Sequence, residues 1–454
     1  MGITSINPAT GEPIATYREL TDAEVFGAVE AAHAAWNDWR TRSFAARGDL
    51  LRATARVLRE RASDLARLMA LEMGKPVVQG RAEVEKCAWG CEHFAEHAEP
   101  YLARDVVPTG ARRSYVDFEP LGVVLAVMPW NFPLWQVFRF AAPALMAGNT
   151  ALLKHASNVP GCAIEIEGIV EVAGLPAGVF RNLTIGSEGV RRVIEHRLVR
   201  AVTLTGSTPA GAAVAAAAGG VVKKTVLELG GSDAYIVLED ADLERAAEAC
   251  VAARIVNAGQ SCIAAKRFIV VEPRADAFAE RFAALVKVKR IGDPLDEATE
   301  IGPLARRDLR DGLHRQVADS VARGARAILG GEVPAGPGAY YPPTVLTDVG
   351  PGMPAYDEEL FGPVAAILRA RDEDDAIRMA NDTPFGLGAA VFTRDAERGE
   401  RVAREIDAGS VYVNAQVASD PRLPFGGIKA SGYGRELGAY GIKEFTNAKT
   451  ILVA

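Results

Sequence analysis

The sequence predicts an α/β protein of two lobes with a small β element attached. The chain has 454 residues, too many for one ordinary core, so at least two packed units are expected. From about residue 122, strand-like and helix-like segments alternate at the spacing of βαβ crossovers, which implies mainly parallel sheets covered on both faces. A second alternating series begins after Gly230.

Residues 21–104 carry Ala, Arg, Glu and Leu at helical spacing, as in Leu50, Leu51, Ala53, Leu58, Leu65, Leu68 and Met69, and read as a helical N-terminal region. Between 114 and 128 the pattern turns β-rich, alternating at first and continuously apolar after Gly122, as in a protruding hairpin that leads into a buried strand. Helix 134–147, strand 150–154, helix 161–173, strand 179–182, helix 189–196, strand 201–205 and helix 209–218 then make a lobe of the nucleotide-binding layer type. The second series holds strand 234–238, helix 243–256, strand 267–271 and helix 275–286, and runs on to about residue 409. Two such lobes place a cleft between them. The tail, 433–454, ends in the run Thr450, Ile451, Leu452, Val453, suited to pairing with a neighbouring sheet edge, which points to an oligomer.

Composition narrows the function. With 49% hydrophobic and 24% charged residues the chain is close to the globular average, and neither disorder nor a fibre is expected. A net charge of -7 with no Lys/Arg block gives no footprint for nucleic acid or anionic membrane, so a small molecule is the expected partner. The first 18 residues lack a basic stretch followed by an apolar run, so no signal peptide is expected. The longest small-apolar stretch, 210–222, falls short of the roughly 20 residues that span a bilayer. The five cysteines show no disulfide spacing, which points to a reducing compartment, the cytoplasm. Cys87, Cys91, His93 and His97 lie close together on a helical stretch, but structural zinc sites pair cysteines with a second, distant pair; no metal is expected.

Candidate chemistry starts at Cys262, which follows the polar, Gly-containing turn Asn257-Ala258-Gly259-Gln260-Ser261. Such a turn exposes a thiol to a cleft and surrounds it with backbone N–H groups, although a lone cysteine is more often a buried hydrophobe. None of the six histidines neighbours it in sequence, which leaves a distant one open as a base. The better base is Glu228, a single carboxylate in the apolar strand before Gly230-Gly231, where desolvation would raise its pKa; a solvent-facing strand Glu is the bland alternative.

Cys262 in GQSC, Glu228 in LELGG, Pro129-Trp130-Asn131-Phe132-Pro133, Gly206-Ser207-Thr208 and Glu359-Leu360-Phe361-Gly362-Pro363 resemble the signatures of the aldehyde dehydrogenase superfamily, in that family's order. The match runs from Asn7-Pro8-Ala9-Thr10-Gly11 to Lys429, Ser431 and Gly432. Within the superfamily the chain most resembles the short-form succinate-semialdehyde dehydrogenases. The resemblance implies a Rossmann-like cofactor domain over 1–104 and 122–229, a catalytic domain over 230–432, and an oligomerisation element over 105–121 and 433–454, assembled as a homodimer or homotetramer. It also implies a mechanism. The Cys262 thiolate attacks the aldehyde, the Asn131 side chain and the Cys262 N–H hold the oxyanion, hydride leaves to the nicotinamide, and water hydrolyses the thioester, with Glu228 as the base that activates either thiol or water. Glu228 favours hydrolysis over transfer to coenzyme A. Read bare, Asn131 would be an ordinary helix cap.

For the cofactor no GxGxxG follows a strand, and GSTPAG at 206–211 read alone is a turn and helix cap. The resemblance places Gly206, Ser207 and the helix N-terminus at the pyrophosphate. It places Trp130 and Leu229 nearby, and Glu359 with Phe361 at the nicotinamide ribose. Lys154, His155, Ala156 and Ser157 would meet the adenosine ribose. Ser157 stands where NAD-preferring members carry an acid, and a hydroxyl leaves room for a 2′-phosphate, so NADP is expected, with NAD possible.

Asn131, Trp135 and Arg139 are spaced four apart and so share a helix face, and Arg139 is the only charge in its segment. With Trp135 and Ser419 it matches the family positions that bind a substrate carboxylate, which points to succinate semialdehyde. The alternatives are a dehydrogenase for neutral or aromatic aldehydes, which would make Arg139 incidental, and a non-catalytic family member, against which the intact Cys262, Glu228 and Asn131 argue. Ala264 stands where some relatives carry a second cysteine, so their regulatory disulfide is not expected.

Overall fold

Unbroken apolar runs become central strands. In the computed structural model, which describes residues 2–454, a six-stranded sheet runs in the order Gly432–Tyr433, Lys224–Glu228, Val199–Thr205, Val123–Met128, Thr150–His155, Phe180–Asn182. Every pair is parallel except Gly432–Tyr433 with Lys224–Glu228. Successive residues serve opposite faces: Val123 and Leu125 pack with Val25 and Val29, whereas Val124 and Ala126 pack with Leu51, Phe94 and Phe138. The strand ends Met128, His155, Thr205 and Glu228 thereby open along one side of the sheet. The chain order reverses beside Val123–Met128, the place where open α/β sheets bind ligands.

A seven-stranded sheet follows in the order Arg326–Leu329, Thr344–Thr347, Val364–Ala370, Arg267–Val271, Ala234–Val237, Gly388–Phe392, Ser410–Val413. It is parallel apart from its first pair, and its strands form a second core with Phe268, Phe278 and Phe282. The expected α/β class with two sheets is therefore observed, and the helical N-terminal region consists of Asp22–Trp39, Phe44–Glu60, Ala62–Met73 and Val77–Tyr101. Thr21 opens the first of these with a reciprocal Thr21–Glu24 capping box.

Three features differ from expectation. Gly2–Ile6 and Pro13–Arg18 form an antiparallel hairpin that the polar N-terminal text did not signal. The tail strand Thr446–Val453 pairs within the chain, antiparallel to Arg113–Pro120, from Thr446 opposite Pro120 to Val453 opposite Arg113; only its far edge stays open. Asn131 does not share a helix face with Trp135 and Arg139. The helix begins at Trp135, because Pro133 disfavours helical backbone at the residue before it.

Among the described residues, no helix is long and apolar enough to cross a membrane, and no cluster of three or more His, Cys, Asp or Glu could hold a metal ion.

Candidate active site

The helix Leu243–Ile255 gives way to a tight turn in which Asn257, Ala258 and Gly259 all take positive φ, at 52°, 53° and 75°. Left-handed backbone costs a non-glycine residue about 1–2 kcal/mol, so the turn needs outside support. The Asn257 side chain donates to Asn131 O at 2.7 Å and Gln260 O at 3.2 Å, and its backbone N–H donates to Gln79 Oε1 at 2.8 Å. Gln260 in turn accepts from Ala305 N at 2.8 Å. At Gly259 a Cβ would lie 2.3 Å from Gly362 O, so only glycine fits. The turn delivers Cys262, half-buried, to the wall of a cavity of about 290 Å³ shared with Phe132, Trp135, Arg139 and Ser419. The other four cysteines are buried.

Asn131 comes from the other lobe and is held as firmly. Lys75 donates to Asn131 O at 2.9 Å, lies 3.8 Å over the Phe132 ring and is ion-paired with Glu83, both charges fully buried. Glu83 Oε1 accepts the N–H groups of Leu134 and Trp135, each at 2.9 Å, and so caps the helix Trp135–Met146 from a neighbouring helix. Asn131 Nδ2 donates one proton to Gln260 O at 3.1 Å, which leaves its second free. Among the described residues the Cys262 amide meets no acceptor either. Two donors are thus left over, one on Cys262 itself and one on the side chain bonded to Gln260, two residues before it. Burial pushes the Cys262 thiol up to about 12, against the pull of Arg139 and Lys266.

Glu228 is not in the cavity wall. Its two carboxyl oxygens are buried without partners, and Gly426 makes room for them: a Cβ there would stand 2.6 Å from Glu228 Oε1. Burial, then the neighbouring Glu436, pushes its pKa well above the carboxylate range, while Arg139 opposes. Glu436 is paired directly with Arg139. Burial raises Glu436 too, but the guanidinium pairs with it directly, so the protonated form is favoured more strongly at Glu228.

Arg139 lines the cavity, and its guanidinium already faces a carboxylate. Besides Glu436 it bonds Thr205 Oγ1 at 3.3 Å and lies 4.6 Å from the Phe425 ring. Trp135 Nε1 donates to Ser419 Oγ at 3.0 Å, which joins these two expected residues.

The residues expected at the cofactor gather at the strand ends. The helix Thr208–Gly220 starts after Ser207 with no side-chain cap, so its first N–H groups are open to an anion. Gly211 lets this helix lie against Leu229, where a Cβ would come within 2.5 Å of Leu229 Cδ2. Lys154 is buried with no ion-pair partner among the described residues, and burial lowers its pKa despite nearby Glu188; Ser157 is exposed directly after His155 and Ala156. These groups suit a dinucleotide phosphate. His155 points elsewhere: Nε2 bonds Pro133 O at 2.8 Å and Nδ1 accepts Ala156 N at 2.9 Å, a neutral ring that braces the Asn131 loop. Burial lowers its pKa to about 4. Trp130 and Phe361 meet edge to face at 5.8 Å, next to Glu359, which accepts Gly231 N at 3.0 Å.

Sequence reasoning left three charged groups unmarked: Glu436, Lys266 and Lys86. Lys266 is fully buried, donates to Ser261 O at 2.9 Å and Cys262 O at 2.5 Å, and lies 3.5 Å from the Glu359 carboxylate, so it ties the cysteine loop to Glu359. Lys86 stands in the cavity wall beside Ser419. Helical phase is the signal that could have found it, since Lys86 lies one turn before the buried Gly90 on the stripe that carries Glu83, Cys87 and Cys91.

Residues 1–451 match the model of a family described as the aldehyde dehydrogenase family. The chain is 50% identical to the succinate-semialdehyde dehydrogenase [NADP(+)] of Mycolicibacterium paratuberculosis, over 100% of this chain and 97% of that one. It is also 50% identical to succinate-semialdehyde dehydrogenase [NADP(+)] 1 of Mycobacterium tuberculosis, over the full length of both. Among solved structures it is similar to the succinic semialdehyde dehydrogenase of Streptococcus pyogenes in complex with NADP+, with a TM-score of 0.97, 37% identity and 99% of each chain covered.

Proposed function

The chain belongs to the aldehyde dehydrogenase family, and on that premise we propose that it oxidises succinate semialdehyde to succinate with NADP as oxidant. The observation that carries the substrate assignment is a cavity lined by a cysteine, a serine and two cationic side chains, the buried Arg139 and the half-buried Lys86.

In the proposed reaction the Cys262 thiol first loses its proton, to Glu228 or to solvent; the thiolate sulfur then bonds to the aldehyde carbon, and the carbonyl oxygen takes up negative charge. The free Asn131 Nδ2 proton and the Cys262 N–H receive that charge without having to reorganise, because the Lys75–Glu83 pair and the 257–260 turn already hold them. When bound, the nicotinamide supplies the acceptor for the hydride that leaves this carbon. The carbon is then an acyl group on Cys262, and water must add to it to release the acid and restore the thiol. Glu228 takes the proton of that water. To do so it swings out of its buried position against Gly426, and its raised pKa makes it a strong base once ionised. Lys154 and Ser157 support the choice of NADP: a buried, unpaired ammonium beside a small hydroxyl accepts a 2′-phosphate. Lys266 fixes the carboxylate of Glu359, which would hold the nicotinamide ribose.

Initial rates of reduced-cofactor formation with succinate semialdehyde and with butanal, each with NADP and with NAD, test this reading. We expect kcat/KM to favour succinate semialdehyde with NADP by at least about tenfold over either single exchange. Equal turnover of butanal would remove the carboxylate from the account, and equal use of NAD would remove the roles of Lys154 and Ser157.

The open edge of Thr446–Val453 and the exposed Leu452 beside it support a homo-oligomer. Light scattering is expected to give a dimer or tetramer at micromolar concentration; a monomeric mass would refute this.

A further inference from the structure

Four successive carbonyls run past the sulfur, and each accepts from a buried side chain. Gly259 O takes Arg254 Nη2 at 2.7 Å, and Gln260 O takes the Nδ2 groups of Asn131 at 3.1 Å and Asn257 at 3.2 Å. Ser261 O and Cys262 O both take Lys266 Nζ, at 2.9 and 2.5 Å. Lys266 stands four residues after Cys262 and has no exposed surface. Its ammonium lies 3.5 Å from the Glu359 carboxylate, so it faces two carbonyls of the cysteine loop and one negative charge. Burial lowers its pKa, and Glu359, then Asp233, oppose that. A fully desolvated cation is costly, and the two hydrogen bonds this one makes both go to the nucleophile's own loop, which points to a task there.

Peptide geometry defines that task. The Ser261–Cys262 peptide is trans, so the C=O of Ser261 and the N–H of Cys262 belong to one planar unit and point in opposite directions. Ser261 O is fixed on one side by Lys266 Nζ and by Ala264 N at 3.1 Å. On the other side the Cys262 N–H has no acceptor among the described residues. A charged donor on the carbonyl draws electron density through the peptide and leaves its N–H a stronger donor, and the low dielectric of a buried site preserves the effect. The preceding peptide is held differently, since Gln260 O accepts from the neutral amides of Asn131 and Asn257.

We propose that Lys266 is a positioning residue of the oxyanion site: by holding Ser261 O it aims and polarises the Cys262 N–H. The inference rests on the thioester reading given above and locates the source of one donor's strength. Lys266 acts through the Ser261–Cys262 peptide rather than on the substrate. Its contact with Glu359 joins the same ammonium to the residue assigned to the nicotinamide ribose.

The test adds Lys266→Met to the Glu228→Gln enzyme, in which the acyl-enzyme is expected to accumulate, and compares the double variant with that parent. Two quantities are read: the rate of the NADPH burst with succinate semialdehyde, and the infrared stretching frequency of the thioester C=O formed from isotope-labelled substrate. The frequency separates the proposal from an effect on the thiol, because Lys266 also favours the Cys262 thiolate and the acyl-enzyme has none. The proposal expects a burst at least about tenfold slower and a stretch at higher frequency than in the parent, as a weaker donor lets the C=O bond strengthen. A burst within about twofold of the parent, or a stretch that does not move, overturns it. Should Lys266→Met fail to fold, Lys266→Gln replaces the charge with a neutral amide; the same two shifts are expected, and the absence of either overturns the proposal. If the parent itself gives neither burst nor acyl-enzyme, the thioester reading falls, and the Lys266 assignment falls with it.

Discussion

Cys262→Ala is expected to lower aldehyde oxidation by roughly 10⁴-fold or more and to leave NADP binding within about twofold of the wild type. The loss is this large because, among the described residues, no other thiol faces the cavity. The remaining four cysteines are buried in the cores, where burial raises their pKa. Cofactor binding should survive because Lys154, Ser157, Ser207 and the N-terminus of Thr208–Gly220 belong to the six-stranded sheet and its connections, which the substitution does not touch. Stopped-flow absorbance of reduced cofactor gives the rate, and quenching of tryptophan fluorescence gives the binding. Turnover within tenfold of the wild type would end the role proposed for this thiol.

Glu228→Gln is expected to separate the two halves of the reaction. Acylation of Cys262 should still produce a burst of NADPH close to one per active site, and the steady state that follows should fall by about 10²-fold or more, because water lacks its base. The substitution should fold, since Glu228 has no hydrogen-bonding partner to lose and the amide is nearly the same size. The pH dependence has a definite sign. Burial raises both the Cys262 thiol and the Glu228 carboxyl, and both are proposed to act in their deprotonated forms, so wild-type activity should climb with pH across the neutral and mildly alkaline range. In Glu228→Gln the steady-state rate should lose the part of that climb that belongs to the carboxyl. A variant with wild-type steady-state turnover, or a wild type most active under acid conditions, would contradict the assignment.

Much of this architecture was legible from periodicity. The strands around Val123–Met128 are continuous apolar runs because helices cover both faces, and that pattern survives in sequence almost undiluted. The hairpin Gly2–Ile6 with Pro13–Arg18 was not legible, since its exposed, polar strands carry no core-facing alternation. The partner of the tail strand was hidden for another reason: pairing of Thr446–Val453 with Arg113–Pro120 is a contact between distant segments, and no local pattern specifies it. Resemblance marked Cys262, Glu228, Asn131 and Ser419, and the structure places Cys262 and Ser419 in one cavity wall with Asn131 beside it. What resemblance could not convey is how charges are shared. Arg139 reads as a lone cation in its own helix, yet Glu436, almost three hundred residues later, neutralises it. Lys86 reads as one more charge on a helix rich in Glu, yet it stands in the cavity wall beside Ser419. His155 shows the reverse, because it lies at an expected cofactor position but spends both ring nitrogens on the protein itself.

The central claim is a covalent acyl group on Cys262, and mass spectrometry of the slowed Glu228→Gln enzyme, quenched with acid just after the NADPH burst, tests it most directly. The account predicts that the peptide bearing Cys262 gains the mass of a succinyl group, and that the label disappears when NADP is omitted or Cys262 is replaced. A full burst with an unmodified Cys262 peptide, or with the succinyl group on another residue, would contradict it.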